Sequence, residues 1–179
     1  MTTLWRGIAL LAVCAGIGHA AYVFAYPYAI MRGTMAGIAQ RAGGPNRAFV
    51  AKLPDETSRG VVKPGPDLLY AICVFDLTAG PVEITATPSR DYWSVAFYAA
   101  NSDNFFVLND RQAAGKPVRL VLSKAGFKTD TRPQSAPDDT RFVDSPSTRG
   151  IVLFRHLVLD PADQSDAQTA AKTATCRSQ

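Results

Sequence analysis

The sequence predicts a mainly β domain, an antiparallel sandwich or barrel-like sheet, that follows an N-terminal transmembrane helix and ends in a C-terminal helix. Residues 7–31 contain no Asp, Glu, Lys or Arg. Beyond residue 60, short apolar or alternating segments are separated by turns rich in Gly, Pro, Asn and Asp, which is typical of antiparallel all-β domains. Strands and helices do not alternate, which argues against a Rossmann-type sheet. We therefore divide the chain into an anchor helix with its extension over residues 1–42, a linker over 43–60 and a β-rich domain over 61–179.

The uncharged segment is long enough to cross a membrane as a helix, which needs about 20 apolar residues. Trp5 lies at one end, and Tyr22, Tyr26 and Tyr28 lie at the other; such aromatic residues favour the two headgroup layers. A helix rises about 32 Å from Trp5 to Tyr26, close to the thickness of a bilayer. The segment is therefore predicted to be an uncleaved anchor.

A cleaved signal peptide is the alternative interpretation. Arg6 would be its charged start, residues 8–17 its apolar core and Gly18-His19-Ala20 its cleavage site. Residues 21–31 remain apolar, which a mature N-terminus does not require, and this favours the anchor.

Both interpretations export the rest of the chain, so we expect an inner-membrane protein whose domain faces the periplasm. Arg32, Arg41 and Arg47 follow the span, whereas Arg6 precedes it. This distribution argues for the opposite orientation, because positive charges stay in the cytoplasm, but the rule is weaker for long domains.

The elements after the span are predicted in order. The helix continues over residues 32–42, with apolar Met35, Ile38 and Ala39 on one side, until Gly43-Gly44-Pro45-Asn46 ends it. Residues 47–63 are predicted to be a linker with a short ordered piece.

Residues 68–77 follow a Pro-Gly-Pro-Asp turn at 64–67 and are apolar in both alternating sets of side chains, as in a strand buried on two faces. Residues 82–86 alternate apolar and polar side chains, as a half-buried strand does. Further strands are predicted over residues 92–99, 104–108, 118–123 and 150–159. A long surface loop is predicted over residues 127–140, and a helix opened by Asp160 or Pro161 over residues 162–174.

The cysteines leave two alternatives. Cys14 lies in the apolar segment, so Cys73 and Cys176 remain for the exported domain, where one disulfide is expected in an oxidising compartment. Otherwise Cys73 is a buried thiol and Cys176 lies in a frayed tail. We expect the two α-carbons to lie within about 7 Å of each other, the limit for a bridge.

Composition and motifs exclude several functions. The chain carries 19 Lys and Arg against 15 Asp and Glu, without a basic stripe, so no nucleic-acid partner is expected. HExxH, GxSxG and a phosphate loop are missing from the sequence. No metal and no cofactor are predicted.

The stretch KPGPDLLYAICVFDLTAGPVEITATPSRDYWSVAFYAANSDNFFVLND resembles the bacterial domain-of-unknown-function family 1254. Gly150, Val152 and Arg155 resemble the Gly-x-Val-x-x-Arg ending of that domain. Gly65 and Leu68 depart from the family pattern, in which Asn and Thr are frequent. The other matching positions are Pro64, Asp67, Leu69, Tyr70, Asp76, Leu77, Gly80, Pro81, Tyr92, Asn104 and Phe106.

The resemblance implies a short, membrane-anchored form of that family without a known reaction. Members are often joined to, or encoded beside, a second domain of the 1214 family, for which this chain has no room. The resemblance therefore implies a separate companion protein of the 1214 domain family as partner, together with the membrane itself.

Two hypotheses for function remain, and they use the same candidate residues. The first is a non-catalytic binding or assembly module, and the second is a hydrolase-like or metal-dependent enzyme with acidic residues in a pocket. Convergence of the acids would favour the enzyme, and dispersal over separate turns would favour the module, which we regard as the better interpretation. Asp76 and His156 are also considered, but the candidate polar site consists of Asp67, Tyr70, Asp103, Asn104 and Arg155.

Overall fold

The structure is a computed structural model that describes residues 2–58, 65–126 and 139–179. It contains three helices and nine strands within those residues. In chain order they are α1 (Thr2–Ala42), β1 (Ala48–Val50), β2 (Leu68–Asp76), β3 (Val82–Ala86), β4 (Trp93–Ala99), β5 (Asn104–Asn109), α2 (Asp110–Ala113), β6 (Val118–Lys124), β7 (Thr140–Ser145), β8 (Arg149–Leu157), α3 (Pro161–Thr173) and β9 (Thr175–Ser178).

The strands form two open sheets, so the prediction of a mainly β fold with a helix at each end is confirmed. Sheet A has the order β1-β2-β8-β4-β5, and sheet B has the order β7-β6-β3-β9. Neighbouring strands are antiparallel except for β6 and β7, which are parallel. The residues between Lys124 and Thr140 give the chain enough length for the crossover that a parallel pair needs. Most of the predicted loop at 127–140 lies outside the described residues, and Thr140 already belongs to β7.

The inner face of sheet A forms the main hydrophobic core. On β2, Leu69, Ala71, Cys73 and Phe75 point inward and are buried, because alternate residues of a strand share one face. They pack with Val82 and other buried residues of sheet B and with α3. On β3, the predicted apolar set also faces the core, since Val82, Ile84 and Ala86 are all buried.

The outer face of sheet A is also partly apolar, and the C-terminal part of α1 covers a portion of it. Met31 and Ile38 of α1 are buried against Val74 and Ile151. This contact explains why both sets of side chains in β2 are apolar: one set faces sheet B, and the other faces a helix. The predicted apolar side of the helix extension therefore packs on the domain.

The segment predicted as a linker contains part of the sheet. β1 pairs with β2 through Ala48↔Cys73, Phe49↔Ile72 and Val50↔Ala71, so the domain begins before residue 61. A strand of three residues is too short to show an alternation of apolar and polar side chains. The sequence therefore predicted just a short ordered piece there.

Two strands, β7 and β9, were not predicted from the sequence, and β9 lies at the edge of sheet B. It pairs with β3 through Ile84↔Cys176 and its neighbours, and its mostly polar residues follow α3 directly. Cys73 of sheet A and Cys176 of sheet B are joined by a disulfide, with a Cα–Cα distance of 6.4 Å. The expected proximity of the two cysteines is therefore met, and the bridge ties the two sheets together.

Helix α3 begins where the sequence places it. The Asp160 side chain accepts hydrogen bonds from the backbone amides of Ala162 and Asp163, at 2.7 and 3.0 Å. Such an N-cap satisfies backbone donors that the first turn leaves without partners. The helix thereby starts at Pro161 and closes one side of the core.

Candidate functional site

Strand register brings two of the predicted site residues together on the outer face of sheet A. Tyr70 of β2 lies opposite Arg155 of β8, Arg155 lies opposite Ser94 of β4, and Ser94 lies opposite Asn109 of β5. Residues at directly opposite positions of neighbouring strands share one face. Tyr70, Arg155, Ser94 and Asn109 thus form a polar row across four strands, called the polar row below.

Arg155 is held over the outer face by a tyrosine rather than by an acid. Its guanidinium donates a hydrogen bond to the hydroxyl of Tyr98, which belongs to the same face of β4. Tyr70 makes a separate contact, since its hydroxyl accepts from the backbone amide of Gly65 at 3.1 Å. Among the described residues, Arg155 therefore has a tyrosine as its hydrogen-bond partner.

Ser94 adds a buried polar group to the row. It is 0% exposed, and its hydroxyl has no hydrogen-bond partner within the described residues. A buried hydroxyl without a partner costs free energy, so this position is unusual for a strand interior. Sequence reasoning passed over it, because a single Ser between Trp93 and Val95 gives no signal of burial.

The two candidate acids lie at opposite ends of sheet A. Asp67 immediately precedes Leu68, which pairs with Leu157. Asp103 lies in the turn after Ala99, which pairs with Gly150 at the other end of β8. The stretch of β8 between these two positions spans about 23 Å at ~3.3 Å per residue. An acid–base pair needs carboxylates about 5–10 Å apart, so these two do not form one.

Local hydrogen bonds account for Asp103 and Asn104. The carboxylate of Asp103 accepts from the side-chain amide of Asn101 at 2.6 Å. The side-chain amide of Asn104 donates to the carbonyl of Phe97 at 3.1 Å, next to a register shift between β4 and β5. These contacts stabilise the turn between the two strands.

Asp76 makes an ion pair and hydrogen bonds at the end of β2. Its carboxylate is 2.7 Å from the guanidinium of Arg149 and accepts from the amide and hydroxyl of Thr78. Partial burial would raise the pKa of Asp76, but these hydrogen bonds and the positive charge of Arg149 outweigh it, and the pKa lies below its usual value. Asn46 joins the group by accepting from the Asp76 amide at 2.7 Å.

His156 points inward, away from its neighbour Arg155. It is 1% exposed, and its Nδ1 lies 3.1 Å from the hydroxyl of Ser89, which is buried too. Burial lowers the pKa of His156 to about 4, so the imidazole is neutral near pH 7. A hydroxyl beside an imidazole resembles a nucleophile and its base, but both groups here are enclosed by the core.

Neither a metal centre nor a convergent acidic pocket emerges from the described part of the chain. Within it, no group of three or more His, Cys, Asp or Glu residues could hold a metal ion. Tyr70 lines a groove of about 550 Å³ between α1 and the outer face of sheet A. The arrangement can therefore bind through a face and a groove, with polar groups set among apolar ones.

Fold and site define a two-sheet β domain attached to a long apolar helix, whose candidate residues lie on one sheet face and in separate turns. A family described as "Protein of unknown function (DUF1254)" matches residues 45–178. The chain belongs to this family, as its resemblance indicated. No curated protein matches the sequence significantly.

The comparison with solved structures gives two matches. A crystal structure of a Vibrio parahaemolyticus protein superposes with a TM-score of 0.66 at 16% sequence identity, covering 88% of this chain and 37% of that one. A putative uncharacterized protein from Burkholderia cenocepacia gives a TM-score of 0.47 at 18% identity, with coverage of 79% and 38%. The first likeness shows the fold. The chain spans less than two-fifths of the length of either protein.

Proposed function

We propose that the protein is a membrane-anchored, exported binding or assembly module without catalytic activity, and that it acts with a companion protein. The observation that carries this proposal is the two-part character of α1. Its first part is apolar and exposed, while its last turns pack on sheet A. A helix of this kind holds the domain at a membrane surface.

The anchor is supported by length, composition and exposure together. The span within α1 has a mean hydropathy of 2.0, and none of its most apolar window is buried in the protein. Exposed large apolar side chains such as Leu4, Leu11 and Phe24 would be unfavourable in water. A bilayer core removes them from water over about 30 Å.

The periplasmic orientation is supported by the disulfide. Cys73 and Cys176 bridge the two sheets, and disulfides persist in oxidising compartments such as the bacterial periplasm, whereas cytosolic thiols stay reduced. An N-terminal anchor in the inner membrane can carry a domain that lies in the oxidising periplasm.

The outer face of sheet A is the surface we assign to the companion. Val107 of β5 is 43% exposed there, opposite Ala96, and the polar row lies beside it. Apolar and polar groups mixed on one face suit a protein interface. A protein of the 1214 domain family is the companion that the family resemblance implies.

The enzyme alternative has no observation in its favour among the described residues. Asp67 and Asp103 are separated by most of the length of sheet A, and His156 is enclosed. We therefore keep catalysis as an outcome of the test and do not propose it.

The test is co-purification of the full-length protein from detergent-solubilised membranes. We expect a stoichiometric companion, identified by mass spectrometry as a 1214-family protein. Val107→Arg, which places a charge on the outer face, should remove it. Leu159→Arg is the matched control, because Leu159 is 70% exposed but lies beyond the strands of sheet A. A clean monomer carrying a bound metal ion would contradict the module.

A further inference from the structure

The groove between α1 and the outer face of sheet A is a sizeable feature of the described residues that the proposed function leaves without a role. Its helix wall contains Gly33, Gly37 and Ile38, and its sheet wall contains Ile72. A side chain added at either glycine would meet nothing within 4 Å, so the missing side chains leave the groove open. Its volume of about 550 Å³ is that of a small-molecule site.

Two cationic residues line the same groove. Lys52 follows β1, and its ammonium is 3.0 Å from the carboxylate of Asp55, so part of its charge is matched. Arg41 lies in the last turn of α1, and no ion pair to it occurs among the described residues. The groove thus has mostly apolar walls, which also include Thr34, Ser58 and Tyr70, and a positive charge at Arg41.

The direction of the groove follows the direction of α1. Gly33 lies two residues beyond Met31, where the uncharged run ends, with Arg32 between them. Arg41 lies about 12 Å further along the helix. The apolar end therefore adjoins the proposed membrane span, and the cationic end points away from it. A ligand with a hydrocarbon chain and an anionic head is complementary to this groove, because the chain matches the apolar end and the head matches the cationic end.

We propose that this groove binds an anionic amphiphile, a fatty acid or an anionic phospholipid, with its acyl chain along Gly33 and Gly37 and its head at Arg41. The proposal rests on the membrane position of α1, because that position supplies lipids to the mouth of the groove. The shared chemistry is a carboxylate or phosphate joined to a hydrocarbon chain.

Photolabelling of the full-length protein in phosphatidylcholine nanodiscs tests the site. The probe is palmitate with a diazirine near the end of its chain, and adducts are mapped by mass spectrometry. We expect adducts on residues 33–41 and 70–72. Gly37→Leu, which fills the groove, should reduce them at least about fivefold, corresponding to ~1 kcal/mol of binding. Gly16→Leu is the matched control, because a side chain at Gly16 also meets nothing within 4 Å.

The charge requirement has its own variants. Arg41→Gln should reduce labelling about as strongly as Gly37→Leu, and Arg41→Lys should retain it. Arg47→Gln, which removes an exposed arginine outside this groove, should leave labelling unchanged. A diazirine hexadecanol, which lacks the anionic head, should label the groove weakly. A second arm with diazirine phosphatidylglycerol distinguishes a phospholipid from a free fatty acid.

Several results would overturn the groove as a site. Labelling confined to residues 3–30, equal labelling by the alcohol, or indifference to Gly37→Leu would each do so. Failure of the anchor is separate, because release of the wild-type protein from membranes by alkaline carbonate contradicts the proposed function. In that event the same palmitate labelling in detergent-free solution decides the groove by itself.

Discussion

The two faces of sheet A are built from the same strands but differ in how they are closed. The inner face is sealed by sheet B, by α3 and by the disulfide, and Val95, Val152 and Phe154 on it are 0% exposed. The outer face is covered in part by α1 and carries the polar row. The difference indicates that inward residues determine stability, whereas outward residues are free to serve binding.

The largest effect is expected from truncating a side chain of the inner face. Phe154→Ala should lower the free energy of unfolding by about 3–5 kcal/mol, because it leaves a cavity in a closed core. Its neighbour Leu153 is half-buried on the outer face, and Leu153→Ala should cost clearly less. Urea unfolding of the full-length protein in detergent, followed by fluorescence of buried Trp93, measures both. Equal losses would show that the two faces are equally closed.

The second-largest effect is expected from removal of the disulfide. Cys176→Ser should lower the free energy of unfolding by about 2–4 kcal/mol, since the bridge closes a loop with a sequence separation of 103 residues. Dithiothreitol should have the same effect on the wild-type protein. Cys14→Ser is the control, because Cys14 is free and exposed on α1. A non-reducing mass spectrum that shows two free thiols at Cys73 and Cys176 would contradict the bridge.

The inward orientation of His156 predicts a pH dependence. Its folded pKa is about 4, below the ordinary 6.5, so between these values the unfolded chain binds a proton that the folded protein does not. Stability should therefore fall as the pH drops from about 6.5 towards 4, by at most ~1.4 kcal/mol per pH unit. His156→Gln should flatten this part of the curve. The other histidine, His19, lies in the apolar span. A wild-type curve without slope in this range would mean that His156 is accessible to water.

The smallest effect is expected on the outer face. Tyr98→Phe removes the hydroxyl that accepts from Arg155 and should cost about 1 kcal/mol. Arg155→Leu combined with Tyr98→Phe should cost less than the sum of the single changes, because the two groups form one contact. Strict additivity in this double-mutant cycle would show that the hydrogen bond contributes nothing to stability.

Local patterns explain how much of the fold could be predicted. The double apolar alternation of β2 and the simple alternation of β3 follow from the period of a strand, and both were recognised. The capped start of α3 at Asp160 is a local signal as well. The long uncharged run predicted α1, and the apolar side of its extension predicted the surface that packs on sheet A.

The remaining features depend on contacts between residues far apart in sequence. β9 forms by pairing with β3, which places Cys176 beside Ile84, and its mostly polar residues carry no pattern of their own. The polar row exists because four strands adopt one register, which no single strand encodes. Tyr98 could have been noticed as a polar-tipped aromatic in an apolar strand, but its bond to Arg155 requires that β4 and β8 be neighbours. The separation of Asp67 from Asp103 is likewise a property of topology.

The continuity of α1 from its apolar first part into the domain has a mechanical consequence. A helix of 41 residues is about 62 Å long, and its last turns are clamped to the sheet by Met31 and Ile38. In the proposed membrane setting, this continuous helix would hold the domain at a fixed distance and orientation relative to the bilayer, as a flexible linker would not. Pro27 lies inside the helix just before the clamp, where a missing backbone donor permits a bend. With α1 in a bilayer as proposed, a change in bilayer thickness that tilts its first part would turn the sheet about Pro27.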